Sequence, residues 1–152
     1  MSMRPAISAA GEEHYRKLER MYLRAPINEF FQPEIAISHG AAEIAVTVSR
    51  KFFHAAEAMH GSVYFKCLDD AAFFAVSSLV EDCFVLTSSF NLYLLRPISE
   101  GLVRARGKVV HAGGSSFVAE AVLSEAQGKE IARGSGAFVK SKVKLVPEMG
   151  YE

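Results

Sequence analysis

Polar residues gather at one place in an otherwise apolar sequence. His54, His60, Gly61 and Ser62 precede the segment from Val63 to Val80, in which Asp69 and Asp70 stand among Phe65, Ala72, Phe73 and Val76. If that segment is helical, Gly61 lies at its start, where backbone N–H groups lack intrahelical acceptors and the aligned peptide dipoles favour negative charge. A glycine there leaves room for a carbonyl oxygen to approach its N–H, which is what an oxyanion hole for acyl transfer needs. The plainer reading is a tight loop-to-helix turn. Asp69 follows two turns later. Burying a carboxylate is costly unless it is paired or used, and desolvation raises its pKa toward a value suited to taking a proton near neutral pH, a rise that Lys66 opposes. Asp70 has Lys66 four residues before it and reads equally well as half of a helix ion pair. Adjacent helical residues point about 100° apart, so one of the two carboxylates is expected to face any site, and spacing alone does not decide which.

The elements that must hold these residues follow from periodicity. Glu12 to Arg24 places Tyr15, Leu18, Met21 and Tyr22 on one face of an amphipathic helix that Ala25-Pro26 ends. Glu34 to Ser38 and Glu43 to Ser49 read as a hairpin broken at His39-Gly40. Gly61 to about Glu81, without Pro or internal Gly and apolar nearly all round, reads as a buried helix. Period-two segments then run over Phe84–Leu95, Gly101–His111, Ser115–Ser124 and Ile131–Val139, with turns at Pro97, Gly101, Gly113-Gly114 and Gly128. Four sequential strands pairing antiparallel are expected. The order fits an α+β domain with one helix lying on a curved sheet, and no repeat or linker marks a second domain. A sheet covered on one face leaves its edges and other face in need of partners, so oligomerisation is expected.

Composition removes several function classes. A chain of 152 residues with 50% hydrophobic residues suffices for one domain with its own core. Lys plus Arg equals Asp plus Glu at 17 each, which argues against a nucleic-acid binder held by bulk charge. Cys67 and Cys83 form neither a disulfide framework nor a zinc pattern, and fit reduced thiols in cytoplasm. The start of the chain has no apolar stretch of signal-peptide length, and the stretch Ala71 to Val80 is too short for a membrane span, so neither export nor a membrane is expected. His14, His39 and His111 show no metal-ligand spacing, and no glycine-rich phosphate loop is present, so neither a metal nor a nucleotide cofactor is implied. On Gly101–His111 strict alternation puts Arg104, Arg106 and Lys108 on one face. That stripe suits an anionic ligand or is a solvated outer strand face.

His60-Gly61-Ser62, with a polar residue six positions earlier and a carboxylate nine positions after His60, resembles the hotdog-fold thioesterases, specifically the PaaI-like (phenylacetate-degradation type) acyl-CoA thioesterases. The likeness continues through Leu86-Thr87-Ser88-Ser89-Phe90-Asn91-Leu92-Tyr93-Leu94-Leu95-Arg96-Pro97, Val109-Val110-His111-Ala112-Gly113 and Gly128-Lys129-Glu130-Ile131-Ala132, and covers roughly residues 28 to 140. The family has His-Gly-Gly and then Asp or Glu at this spacing, so the resemblance selects Asp69 over Asp70. It implies a curved antiparallel sheet of five to six strands wrapped around one long central helix, preceded by an N-terminal helix. The whole chain would be a single domain, with 1–9 and 141–152 peripheral or flexible.

The resemblance also implies a division of labour. Gly61 would donate to the thioester carbonyl, Asp69 from a neighbouring subunit would be general base or nucleophile, Thr87 would position water or the carboxylate, and His60 would orient the loop. A homodimer, or a tetramer built from two such dimers, would hydrolyse acyl-CoA, with coenzyme A entering as part of the substrate. Three positions depart from the pattern: His54 replaces Asn or Gln as a donor to the thioester or water, Ser62 replaces the second glycine, and Gly114 follows Gly113 where the family often has a basic residue. Arg96, Arg104, Arg106 and Lys108 are then the candidates for the nucleotide end of coenzyme A, along with Ser62, Gly113 and Gly114 near the substrate. A non-catalytic acyl-CoA binder on the same fold, and a hotdog hydratase or dehydratase, are the alternative functions.

Overall fold

A computed structural model describes residues 9–152; residues 1–8, the bulk of the segment expected at the N-terminal periphery, lie outside the described residues. Helix α1 (Ala9–Arg24) begins before the expected Glu12 and stops at Ala25-Pro26, where a short helix α2 (Ile27–Phe31) starts that periodicity did not reveal. Strands β1 (Glu34–Ser38) and β2 (Ala41–Thr47) form the hairpin, turning at Gly40 with φ +68°. A short 3-10 turn (Arg50–Phe52) leads into the long helix α3 (Gly61–Ser77). Four strands follow: β3 (Cys83–Leu94), β4 (Leu102–Ala112), β5 (Ser116–Ser124) and β6 (Glu130–Lys144).

α3 ends four residues before the expected Glu81 because serines compete for its backbone. Ser77 Oγ donates to Phe73 O at 2.9 Å, Ser78 Oγ donates to Ala75 O, and Ser78 Oγ also accepts the Gly40 N–H at 2.8 Å. β6 outruns the expected Val139 because β3 pairs with it as far as Lys144.

All six strands join one antiparallel sheet in the order β1-β2-β4-β5-β6-β3. The last three strands pair in sequence, but β3 does not pair with β4. It lies on the far side of β6, contrary to sequential pairing. Gly134 and Gly136 on β6 show why: a Cβ at either would come within 2.6 Å or 2.5 Å of the Phe90 ring, so the aromatic of β3 occupies the space that side chains would need. α3 crosses the concave face, packing Leu68, Ala71, Ala72 and Val76 against Ile44, Val103, Ala105, Leu123 and Phe138, all essentially inaccessible to solvent. Gly107 sits at the closest approach, where a Cβ would lie 2.3 Å from Ala71 O, so no larger residue fits without moving the helix. A sheet curved around one central helix is the hotdog arrangement.

The two sheet edges are treated differently. On β1, Arg16 donates to Ile37 O at 2.8 Å and Glu19 accepts the Ile37 N–H at 2.8 Å, so α1 covers that edge. β3, twelve residues long, has β6 as its one strand neighbour and exposes Leu86 and Leu94. The chain end returns to α1 through a turn at Pro147–Met149. Tyr151 meets His14 at 2.7 Å, and Glu152 pairs with Arg24.

Candidate active site

At the start of α3 the two imidazoles play the same local part. His60 is the N-cap, its Nδ1 accepting the Ser62 N–H at 3.0 Å and sharing a 2.8 Å hydrogen bond with Ser62 Oγ. His54 Nδ1 accepts the Ala56 N–H at 3.0 Å. An Nδ1 that accepts a backbone N–H carries no proton, so both neutral rings hold their hydrogen on Nε2. The rings stand 6.5 Å apart, flanking the turn closed by the Phe53–Met59 bridge. The Gly61 N–H has no acceptor among the described residues, and Leu94 Cδ1 packs 3.1 Å from where a Gly61 Cβ would be. His54, His60 and Gly61 therefore keep N–H donors free at one place, while Ser62, whose N–H and hydroxyl both donate to His60 Nδ1, serves as part of the cap.

Asp69 lies two turns along α3, about 12 Å from Gly61. Thr87 Oγ1 donates to Asp69 Oδ1 at 2.8 Å. Thr87 points inward opposite the buried Phe138, beside a bulge between Thr87 and Ser89, a device that re-aims strand residues. Burial raises the Asp69 carboxyl to about 6; the Thr87 hydrogen bond and Lys66 oppose the rise, while the Asp70 charge adds to it. Asp70 is differently placed. Its Oδ2 accepts from Lys66 Nζ at 2.6 Å and from Tyr22 OH at 2.7 Å, and the Lys66 ammonium lies 5.1 Å from the Tyr22 ring centroid. Burial and the Asp70 charge raise the Tyr22 hydroxyl, keeping it a donor.

Both carboxylates border a cavity of about 310 Å³ between α1, α2, α3 and β3, whose apolar walls include Met21, Ile27, Phe73, Phe84 and Leu86. The expectation that only one of them would face a site is corrected here: the cavity is wide enough to touch both, and what separates them is that the ion pair and the phenol occupy Asp70. From the sequence Met21 and Tyr22 read only as part of the apolar face of the first helix, and nothing marked them or the α2 residues as cavity walls. Tyr22 and Asp70 are 48 positions apart, and no local pattern joins them.

The remaining candidates are dispersed. Arg104 and Arg106 bind Glu43 at 2.8 and 3.2 Å, and Lys108 binds Glu120 at 3.3 Å, all on the convex face away from α3. The stripe is thus an outer strand face whose three cations share two carboxylates, and it does not meet Asp69 within the chain. Gly113 and Gly114 form the β4–β5 turn, closed by Gly113 N–H donating to Ser116 O at 2.8 Å. Arg96 is exposed and has no ion pair among the described residues, and its carbonyl accepts from Tyr64 OH at 2.8 Å near the start of α3. No group of three His, Cys, Asp or Glu among the described residues gathers to hold a metal, and no described helix is long and apolar enough to cross a membrane.

The model of the thioesterase superfamily matches residues 56–132, just over half of the chain. The chain belongs to the thioesterase superfamily. Solved structures extend the likeness. The E. coli PaaI protein from the phenylacetic acid degradation operon matches with a TM-score of 0.81 over 90% of this chain and 99% of that one, at 20% identity. A thioesterase family protein from Silicibacter pomeroyi gives 0.75 over 83% and 96%, and a conserved protein from Pseudomonas aeruginosa 0.74 over 80% and 98%, both at 25% identity. No curated protein matches the sequence. In this superfamily member the hotdog fold and the PaaI-like likeness extend well beyond the matched residues, over 90% of the chain.

Proposed function

We propose that this protein hydrolyses an acyl-CoA thioester to a free acid and coenzyme A. The observation that carries the reading is Asp69: a carboxylate held by Thr87 at the edge of an apolar cavity, with its pKa raised to about 6. At neutral pH it is ionised yet more basic than an ordinary aspartate, which suits it to take a proton from water or to attack a carbonyl itself. If it acts as base, water adds to the carbonyl carbon, its proton passes to Asp69, and collapse of the tetrahedral adduct breaks the C–S bond and expels the thiolate. If it attacks, the resulting anhydride is hydrolysed in a second step. Gly61 N–H, at the positive end of α3, stabilises the oxyanion, and His54 and Thr87 orient the reactants.

One chain does not bring these groups to one carbonyl, because two turns of rigid helix separate Gly61 from Asp69. A second copy supplies the missing half. The open twelve-residue edge of β3, next to Thr87 and flanked by exposed Phe65, Leu86 and Leu94, supports a homodimer there, and two such dimers can form a tetramer. Arg96, exposed and without an ion pair among the described residues, would meet a phosphate of coenzyme A. The free thiols Cys67 and Cys83 support a cytoplasmic setting.

The test is thiol release from a panel of aliphatic and aryl acyl-CoA thioesters by the purified protein. Turnover with an acid limb near pH 6 is the expected result. Tight binding without release of thiol from any member would replace hydrolase with acyl-CoA binding protein.

A further inference from the structure

The cavity beside Asp69 has a wall that the catalytic reading does not use. That wall is the α1–α2 corner, contributed by Met21, Tyr22, Ala25, Ile27 and Asn28, and the chain terminus fixes its position. Residues 145–152 lie along α1 as a strap. Tyr151 hydrogen-bonds His14 Nδ1 at 2.7 Å, His14 Nε2 donates to Ser77 O at 2.9 Å, and Lys17 lies 5.4 Å from the Tyr151 ring centroid. Glu152 pairs with Arg24, and its carbonyl accepts from Arg20. His14 thus ties the strap and α1 together onto the C-terminal end of α3. Between these anchors Gly150 adopts φ +92° and sits against the backbone of the very residue that lines the cavity: a Cβ at 150 would lie 3.2 Å from Met21 Cα.

The cavity's chemistry is equally restricted. Its volume is about 310 Å³, and a water-sized group takes about 30 Å³, so roughly ten non-hydrogen atoms fit. Its one cation, Lys66, is already paired with Asp70, and the Tyr22 hydroxyl donates to the same oxygen, so no cation in the wall is left to pair with an anionic ligand, which the Asp69 carboxylate would repel.

We infer that this cavity takes the acyl group, that it excludes anionic acyl groups and favours those of up to about ten non-hydrogen atoms, and that the C-terminal strap sets this limit by holding Met21 against the cavity. The inference rests on the thioesterase reading for the chemistry and goes beyond it in naming the acyl class and the residues that define it. Met21 is a specificity-determining contact, and Gly150 a positioning residue that acts through it.

Two substitutions in the full-length protein pull in opposite directions. Met21→Ala removes the side chain and deepens the cavity. Gly150→Ala introduces a methyl that pushes the α1 backbone at Met21 toward the cavity, and it strains a backbone that favours glycine. For straight-chain acyl-CoA thioesters from two to sixteen carbons, together with glutaryl-CoA, kcat/KM in the wild type is expected to peak at or below ten acyl non-hydrogen atoms. It should fall at least tenfold for palmitoyl-CoA and for glutaryl-CoA relative to hexanoyl-CoA. Met21→Ala should move the optimum to longer chains, and Gly150→Ala to shorter ones, with folding of both variants verified by circular dichroism.

The same series as non-hydrolysable acyl-CoA thioethers, measured by calorimetry, gives affinities that do not depend on turnover. A binding optimum that Met21→Ala lengthens, without hydrolysis of any thioester, would retain this inference and discard the hydrolase. Palmitoyl and hexanoyl compounds used equally well, or chain-length profiles that coincide in wild type and both variants, would overturn the inference and leave the hydrolase standing.

Discussion

On one side of α3, Asp70 is closed in by a lysine and a phenol, both donating to the same oxygen. On the adjoining side, Asp69 has a single threonine hydroxyl and a desolvated view of an apolar cavity. The two residues share a helix, a charge and a solvent-poor setting, yet they do different work. Asp70 is part of the scaffold: its ion pair joins α3 to itself over one turn, and its bond to Tyr22 docks α1 against α3. Asp69 is buried with only one hydroxyl to offset the loss of water, so burial leaves it more basic than an aspartate in water. Depth raises the cost of either charge, and what separates the structural group from the chemical one is that a cation and a phenol offset this cost at Asp70 where a single hydroxyl does at Asp69.

The largest expected effect tests this difference through activity. Asp69→Asn removes the base or nucleophile and should lower kcat by about 10³-fold, of the order seen when a group acting only in the transition state is lost. Asp70→Asn keeps an oxygen that accepts from Tyr22 and Lys66 and should cost less than tenfold. Both are read by thiol release with folding verified by circular dichroism. Equal losses in the two variants would erase the distinction between the carboxylates.

Stability reverses the order of importance. Asp70→Ala leaves the Lys66 ammonium and the Tyr22 hydroxyl without their shared acceptor at a site where the Lys66 and Asp70 side chains are 12% and 18% exposed. Stranding these donors should cost about 2–3 kcal/mol, measured as a fall in the urea midpoint at constant m-value. A change below 0.5 kcal/mol would mean that the ion pair and phenol contribute nothing to docking α1.

How much of this contrast is legible in the chain depends on how local its causes are. The α3 segment, the β1–β2 hairpin and the alternation that sends Val103, Ala105 and Gly107 inward and Arg104, Arg106 and Lys108 outward follow from periodicity, because each residue's face is set by its neighbours along the strand or helix. The Lys66–Asp70 pair likewise follows from i,i+4 spacing. What escaped is non-local. The pairing of β3 with β6 depends on Phe90 finding Gly134 and Gly136 some forty residues away, as the register shows. Glu43 reaches Arg104 and Arg106 only because β2 lies beside β4, and that turns an apparent anion-binding stripe into paired surface charge. The cavity needs α1, α2, α3 and β3 together, so no single stretch carries its outline. Asp69 itself could be singled out within its helix only by family resemblance, since Thr87, the partner that distinguishes it, comes from a strand eighteen positions on.

The smallest effect is the one that most directly reads the desolvation of Asp69. Its carboxyl has a pKa of about 6 in the folded protein against 3.8 for an unperturbed aspartate. A group whose pKa is raised by folding makes its full favourable contribution below the unfolded value and loses it as pH rises through the folded one. The wild type therefore carries a penalty above about pH 6 that is absent near pH 4. Asp69→Asn cannot ionise, and its Oδ1 still accepts from Thr87, so it escapes the penalty. Relative to wild type it should be more stable by about 1–2 kcal/mol at pH 7.5, after discounting for the partial solvent exposure of the site, and the advantage should vanish at pH 4. Denaturant unfolding of the two proteins at both pH values measures it. A constant difference across that window would show that ionisation of Asp69 is not opposed by the fold, and Asp69 would then rank with Asp70 as a satisfied carboxylate instead of one kept basic for chemistry.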